Sequence, residues 1–452
     1  MTSGPAADVA EVLDAGNPPF VGSGRPLMLP ATWVQEERVA AGTATSYRAA
    51  GDAPADGRVE LVSDLTAEYR TRVLVRRPTD GTGFNGTVVV EWLNVSGGLD
   101  ADADHTLLAD ELQRRGYAWV GVSAQYIGVE GGPVLVSAPG GEGIVGEGLK
   151  KIDPARYGSL QHPGDAFSYD IYTQVAGAVR AGALLGDLVP ERILAAGESQ
   201  SAFALTTYVN GVHPLVEVFD GFLVHSRGRG TAPLGVPGAG IDMISAMLTD
   251  PTIIRSDLTT PVLVLETETD LFGLGYFWAR QDDSSHVRVW EVAGTAHADR
   301  YMASIVADVM DCGGPINDGP HHFVAKAALR ALDDWVRTGT APPSADRLEV
   351  DDTPALRRDA DGIAVGGIRT PQVDVPLAAL SGDPRSSASL MCMLFGSTTP
   401  LPSERLLERF GTQEAYVAEY EAATDAAIAA GFVLAEDRDA VLADARPERF
   451  PN

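Results

Sequence analysis

Six short apolar runs dominate the middle of the chain: TVVVEWL (87–93), AWVGVSA (118–124), RILAAG (192–197), DGFLVHS (220–226), PVLVLET (261–267) and VRVWEVA (287–293). Each has the length of a strand, and their near-continuous hydrophobicity suits strands covered on both faces. Amphipathic stretches at 102–115, 167–186, 200–210, 241–249, 273–281 and 320–337 alternate with them. Strand and helix alternating in this way specify βαβ units, hence a mostly parallel central sheet flanked by helices. Two β-rich stretches upstream, Val59–Val62 and Tyr69–Arg76, read as the antiparallel opening of that sheet.

Three units follow. Residues 1–55 read as an irregular N-terminal arm, 56–341 as the α/β core, and 342–452 as a helical C-terminal extension packed on it, with helices near 403–410, 412–431 and 435–446. Within the core, 125–166 and 226–260 exceed the usual connection length. Both leave the carboxyl ends of strands, where open α/β sheets bind ligands, so they are expected to form the rim or lid of a pocket.

The third run leads into Gly197-Glu198-Ser199-Gln200-Ser201 and then a helix. A serine between strand and helix sits in a strained turn, and only small neighbours fit around it. Gly197 and Ser201 meet that need, although Ser201 stands where the G-x-S-x-G pattern has glycine. Ser123, in GVSAQ, also follows a strand, but YIGVEGGP after it is no amphipathic helix. Ser199 is therefore the expected nucleophile.

A nucleophilic serine needs a base and an orienting acid, which in this arrangement follow in the order Ser, acid, His. Asp270 lies just past PVLVLET, with Glu268 as the alternative acid, and His297 lies in the small-residue loop of WEVAGTAHADRY. The oxyanion hole is expected from the backbone N–H of Gln200 and one amide of Asn94, Val95 or Ser96, where Gly97-Gly98 lets the loop turn sharply. Trp92 and Tyr126 are candidates for an apolar pocket, with Trp278 also considered. His225 and Arg227 could bind a substrate carboxylate, against the plainer reading of solvated loop residues.

GESQSA, ETETDL, WEVAGTAHAD, NDGPHHFV, GGIRTPQVDVP and LFGST together resemble a bacterial "alpha/beta hydrolase domain" family of serine esterases within the α/β-hydrolase superfamily. The matching stretches run from the first parallel strand into the C-terminal extension. The resemblance implies an α/β-hydrolase fold and serine hydrolase chemistry, and carries no substrate with it.

Other features have plainer readings. DADADHTLLADE (100–111) spaces its acids like a calcium-binding loop, but His105 occupies the position that needs glycine, so capping of a helix N-terminus is the better reading. His105 could still face the pocket, and His321 and His322 read as structural. Cys312 and Cys392 belong to no metal-binding spacing; they could pair in the fold, but reduced thiols are expected of them in a cytoplasmic protein. The net charge of −28 opposes binding to nucleic acid or to an anionic membrane surface. No apolar run reaches the roughly 18 residues of a membrane span. The opening residues lack a basic and then apolar leader pattern, so a cytoplasmic location is expected.

The expected function is hydrolysis of a carboxylic ester, a small molecule, through an acyl-enzyme, with no cofactor or metal. The same machinery could serve a lactone, amide or thioester, or acyl transfer. A catalytically inactive binding protein and a metallohydrolase are the alternatives from other classes. A homo-oligomer is left open.

Overall fold

In the computed structural model the apolar runs become strands with bounds close to those expected: β3 (Thr87–Trp92), β4 (Ala118–Val122), β5 (Arg192–Glu198), β6 (Gly221–His225), β7 (Val262–Thr267) and β8 (Val287–Val292). They are preceded by two long strands, β1 (Trp33–Ala49) and β2 (Leu61–Pro78). The structure describes residues 5–22, 24–51, 54–137, 143–385 and 389–451. Residues 138–142 of the expected rim thus lie outside the described residues.

Among the described residues, eight strands form one sheet in the order β1-β2-β4-β3-β5-β6-β7-β8. Pairing is antiparallel for β1/β2 and β2/β4 and parallel from β4 onward. Five helices bear on the site or its support: α1 (Ala103–Arg115), α2 (Ser168–Arg180), α3 (Gln200–Thr207), the short α4 (Met243–Met247) and α5 (Glu268–Gly273). α6 (His321–Thr338) follows β8, and the extension carries α7 (Leu390–Leu394) and α8 (Gln413–Ala429). Val88, Val90 and Val120 bury into the core on one sheet face, with the α2 residues Tyr172 and Val175. Val89, Leu194 and Leu263 bury on the other, with Leu107 of α1 and Leu329 of α6.

The N-terminal arm needs correction. Residues 33–49 are an edge strand paired with β2 from Trp33↔Pro78 to Ala49↔Leu61, with a register shift between Thr45 and Tyr47. WVQEERVAAGTATSYRA is rich in Ala and charge, so its intrinsic strand preference is weak. The ladder with β2 decides its conformation, a case of context overriding propensity. The helix expected over 273–281 is also replaced: α5 begins earlier, at Glu268, and a 3₁₀ turn follows at Tyr276–Ala279.

Cys312 and Cys392 are joined in a disulfide, which overturns the expectation of free thiols. The bond links the loop beyond His297 to α7, two segments far apart in sequence that fold against the same small apolar cluster. No helix among the described residues is long and apolar enough to cross a membrane.

The acidic run at 100–104 is consumed by the fold. Arg72, fully buried, donates to Asp100 (2.7 Å), Glu37 (3.1 Å) and the Ser123 hydroxyl (2.9 Å). Ser123 is therefore a structural group, donating in turn to Asp100 at 2.5 Å. Asp102 pairs with Arg76 at 2.5 Å. The N-terminus of α1 is capped from outside that run: both Glu91 oxygens accept, from the amides of Asp104 (3.0 Å) and His105 (2.9 Å). A carboxylate there satisfies orphan N–H groups and complements the helix dipole. His105 is buried against Trp119, away from the Ser199 pocket.

Candidate active site

Ser199 lies between β5 and α3 with φ 60° and ψ −120°. This positive φ is costly for a residue with a side chain and persists only when its surroundings impose it. Here the Ser199 amide donates to the His225 carbonyl of β6 (2.9 Å), while α3 starts immediately behind. The tight packing explains Gly197, where an added Cβ would meet Leu205 and Ser201 at 3.0 Å.

The chain ends of β5, β7 and β8 bring three predicted residues together. Ser199 Oγ is 2.7 Å from His297 Nε2, and His297 Nδ1 is 2.6 Å from Asp270 Oδ1. Asp270 Oδ2 accepts from both the amide and the hydroxyl of Thr267, each at 2.7 Å, closing a capping box at the start of α5. An ionised carboxylate only accepts, so Nδ1 of His297 carries the proton and Nε2 presents its lone pair to Ser199. Burial pushes the Asp270 carboxyl up, but the His297 imidazole and the Thr267 donors more than reverse this and hold it below its ordinary value. Burial pushes His297 down, and the carboxylates of Glu198 and Asp270 overcome that and hold it above 6.5.

Glu268, the alternative acid, is occupied elsewhere. It accepts from the amides of Gly294 (2.6 Å) and Gly382 (2.9 Å) and from Arg358 (3.0 Å). Burial raises its carboxyl, only partly offset by Arg358. Gly382 and Arg358 belong to the C-terminal extension, so Glu268 ties the acid-bearing turn to that extension.

None of the three amides expected for the oxyanion hole in the loop after β3 is free. Asn94 N donates to Ala101 O (2.9 Å), Ser96 N to Asn94 Oδ1 (2.8 Å), and Val95 N to the Gln200 side-chain Oε1 (3.2 Å). Gln200 is the first residue of α3, so its own N–H has no partner within the helix.

A narrow cavity opens beside Ser199, with about 40 Å³ of space that a water molecule can reach. Its walls are apolar: Phe203 of α3, Met243 and Met247 of α4, Leu274, and Leu390 and Leu394 of α7. Ser96 and Gln200 face it, and among the described residues no charged side chain lines it. Sequence reasoning missed these walls; the Met243/Met247 and Leu390/Leu394 spacings, one helical turn each, were the signal available to it.

The four expected pocket residues lie elsewhere. Trp92 is buried in an aromatic cluster with Tyr169 and Tyr172, its indole N–H donating to Gln125 at 2.9 Å. Tyr126 packs edge-on to His162. Arg227 is fully buried, donates to the carbonyls of Gly228 and Thr252, and lies over the Tyr276 ring. His225 is also fully buried, bridging Asp104 Oδ1 (2.8 Å) and His321 Nε2 (2.7 Å). A strand end places a residue near the site without deciding which way its side chain turns. Trp278 is half exposed on the surface, and His322 stacks on Tyr301.

Comparison with known proteins adds the family. The model of the family described as "Alpha/beta hydrolase domain" matches residues 3–443. Among solved structures, the chain is similar to an α/β serine hydrolase without a lid from Xanthomonas campestris, at 14% identity over 68% of this chain and 97% of that one, TM-score 0.33. It is also similar to an esterase from Rhizomucor miehei, at 12% identity over 66% and 85%, TM-score 0.32. No curated protein matches the chain. With the family model spanning nearly its whole length, the chain belongs to the alpha/beta hydrolase domain family.

Proposed function

We propose that this hydrolase cleaves carboxylic esters with a small, uncharged, apolar acyl group, through an acyl-serine intermediate. The observation that carries the proposal is the unbroken relay from Ser199 Oγ to His297 and Asp270, at 2.7 and 2.6 Å, opening on an apolar cavity. In this reading Ser199 Oγ attacks the acyl carbon as its proton passes to His297 Nε2. The tetrahedral intermediate collapses, and the leaving alcohol takes that proton as the acyl C–O bond breaks. Water, deprotonated by the same nitrogen, then releases the acid and restores Ser199.

Asp270 holds the imidazole in the required tautomer and stabilises its charged form. The Gln200 N–H is the first oxyanion donor. The Val95 amide is the second, because its contact to Gln200 Oε1, at 3.2 Å, is the longest of the three in its loop and the most readily exchanged. The uncharged lining argues against a substrate carboxylate in the pocket, since Arg227 and His225 are both sequestered.

The test is intact mass after reaction with a fluorophosphonate, followed by p-nitrophenyl esters of increasing acyl length. One adduct that disappears in Ser199→Ala, and turnover highest for short acyl chains, are expected. A folded wild type that takes no adduct and hydrolyses none of the esters would refute the proposal.

A further inference from the structure

Glu198, next to the serine in sequence, enters no step above, yet its carboxylate reaches the same His297 nitrogen that faces Ser199. Oε1 lies 3.3 Å from Nε2, with both side chains almost wholly buried. That oxygen has no hydrogen-bond donor of its own. The other oxygen is 3.5 Å from the Asn94 side-chain amide, which also donates to the Glu198 carbonyl at 3.1 Å.

A buried carboxylate is costly unless cations face it. Glu198 and His225 are direct partners on the β5–β6 ladder. His225 donates from Nδ1 to Asp104 (2.8 Å), and only one proton fits between its Nε2 and that of His321, 2.7 Å away. Burial depresses His225, but Asp104 and Glu198 outweigh it and raise it, whereas burial and His225 hold His321 down. Of the two rings His225 is thus the more readily protonated. Glu198 thus stands between two imidazoles, His225 and His297, with the like charges of Asp104 and Asp270 behind them. Burial is the largest influence on Glu198 and, although the two histidines oppose it, raises its carboxyl to about 7, so its charge faces His297 on the alkaline side of that value.

We infer that Glu198 is a positioning residue for the reaction: a second carboxylate on His297, acting on the Nε2 side as Asp270 acts on the Nδ1 side. Its attraction is felt fully only once Nε2 has taken the serine proton, so it favours the transition state over the resting enzyme. The inference rests on the serine hydrolase reading above. Asp270 fixes the tautomer through a hydrogen bond, and Glu198 contributes charge.

The experiment measures kcat/KM for p-nitrophenyl acetate and the rate of fluorophosphonate labelling from pH 5 to 10, in wild type, Glu198→Gln and Glu198→Asp. Glu198→Gln keeps the shape and removes the charge. The expected result is a plateau about tenfold lower and an acid limb moved down by about one pH unit, because His297 loses one of the two carboxylates that raise it. Glu198→Asp keeps the charge but draws it back from His297, and is expected to shift the limb part of the way. An acid limb in Glu198→Gln that stays in place overturns the inference, whatever the fall in rate, because a packing role moves stability and not the limb. Should Glu198→Gln fail to fold, the aspartate variant decides: a limb shifted part of the way supports the role, and an unchanged limb and plateau overturn it. Wild type that is silent to the label overturns the underlying reading instead, and the two failures are thereby told apart.

Discussion

Two acids separated by one residue, Glu268 and Asp270, should respond in opposite ways to the same loss of charge. In Asp270→Asn, the Thr267 amide can only donate, so the carboxamide oxygen must face it and the NH₂ must face His297. A donor opposite Nδ1 forces the imidazole proton onto Nε2, where it blocks acceptance of the serine proton. Turnover should fall by about 10³–10⁴-fold, while the Thr267 capping bonds survive and the melting temperature moves little. In Glu268→Gln, one oxygen must serve the amides of Gly294 and Gly382 that two oxygens serve now, and Arg358 loses its buried partner. An unsatisfied buried donor and a broken pair, one side of it 20% exposed, together cost about 2–4 kcal/mol. The variant should melt earlier but keep its rate per folded molecule to within a few-fold. Paired thermal melts and p-nitrophenyl acetate kinetics at 20 °C, normalised to fluorophosphonate-active sites, separate the two. Asp270→Asn within tenfold of wild type, or a folded Glu268→Gln that loses more rate than Asp270→Asn, would refute the assignment.

Three other outcomes follow. Leu394→Ala should enlarge the cavity and raise kcat/KM for longer acyl chains relative to acetate; an unchanged chain-length profile would remove α7 from the pocket wall. Cys392→Ser, or reduction with dithiothreitol, opens a loop of 80 residues and should destabilise by up to about 4 kcal/mol on chain-entropy grounds; melting that is indifferent to reductant would contradict it. Because Glu198 and Asp270 hold His297 above 6.5, its charged, non-accepting form persists to higher pH than in a free imidazole. Activity should therefore fall on acidification with a midpoint above 6.5, and a midpoint at or below that value in a kcat/KM profile would show that the carboxylates do not act on the ring.

The parallel strands and the order Ser199, Asp270, His297 were legible because each rests on a local signal: a short apolar run, a turn that admits only small residues, a polar residue just past a strand end. What lay outside the sequence was side-chain direction and long-range pairing. His225 sits at a strand end, as expected of a pocket residue, but turns inward because Asp104 and His321 await it. Trp92 does the same against Tyr169 and Tyr172. β1 is invisible to propensity because its partner β2 supplies its order. The Cys312–Cys392 bond joins segments whose proximity depends on how the extension returns to the core. Glu198 could have been suspected, as a carboxylate flanking a candidate nucleophile, yet its contact with His297 depends on a loop from another strand.

The extension also sets when the site can exist. A ribosome that has reached residue 341 has already made Ser199, Asp270 and His297. The amide of Gly382 and the guanidinium of Arg358 that satisfy Glu268, and the leucines at 390 and 394, are still to come. Until they emerge, the turn bearing Asp270 holds a carboxylate short of partners, and the cavity has one side open to water. A polypeptide ending at residue 341 would therefore hold all three residues of the relay without the partners of Glu268 or one wall of the cavity.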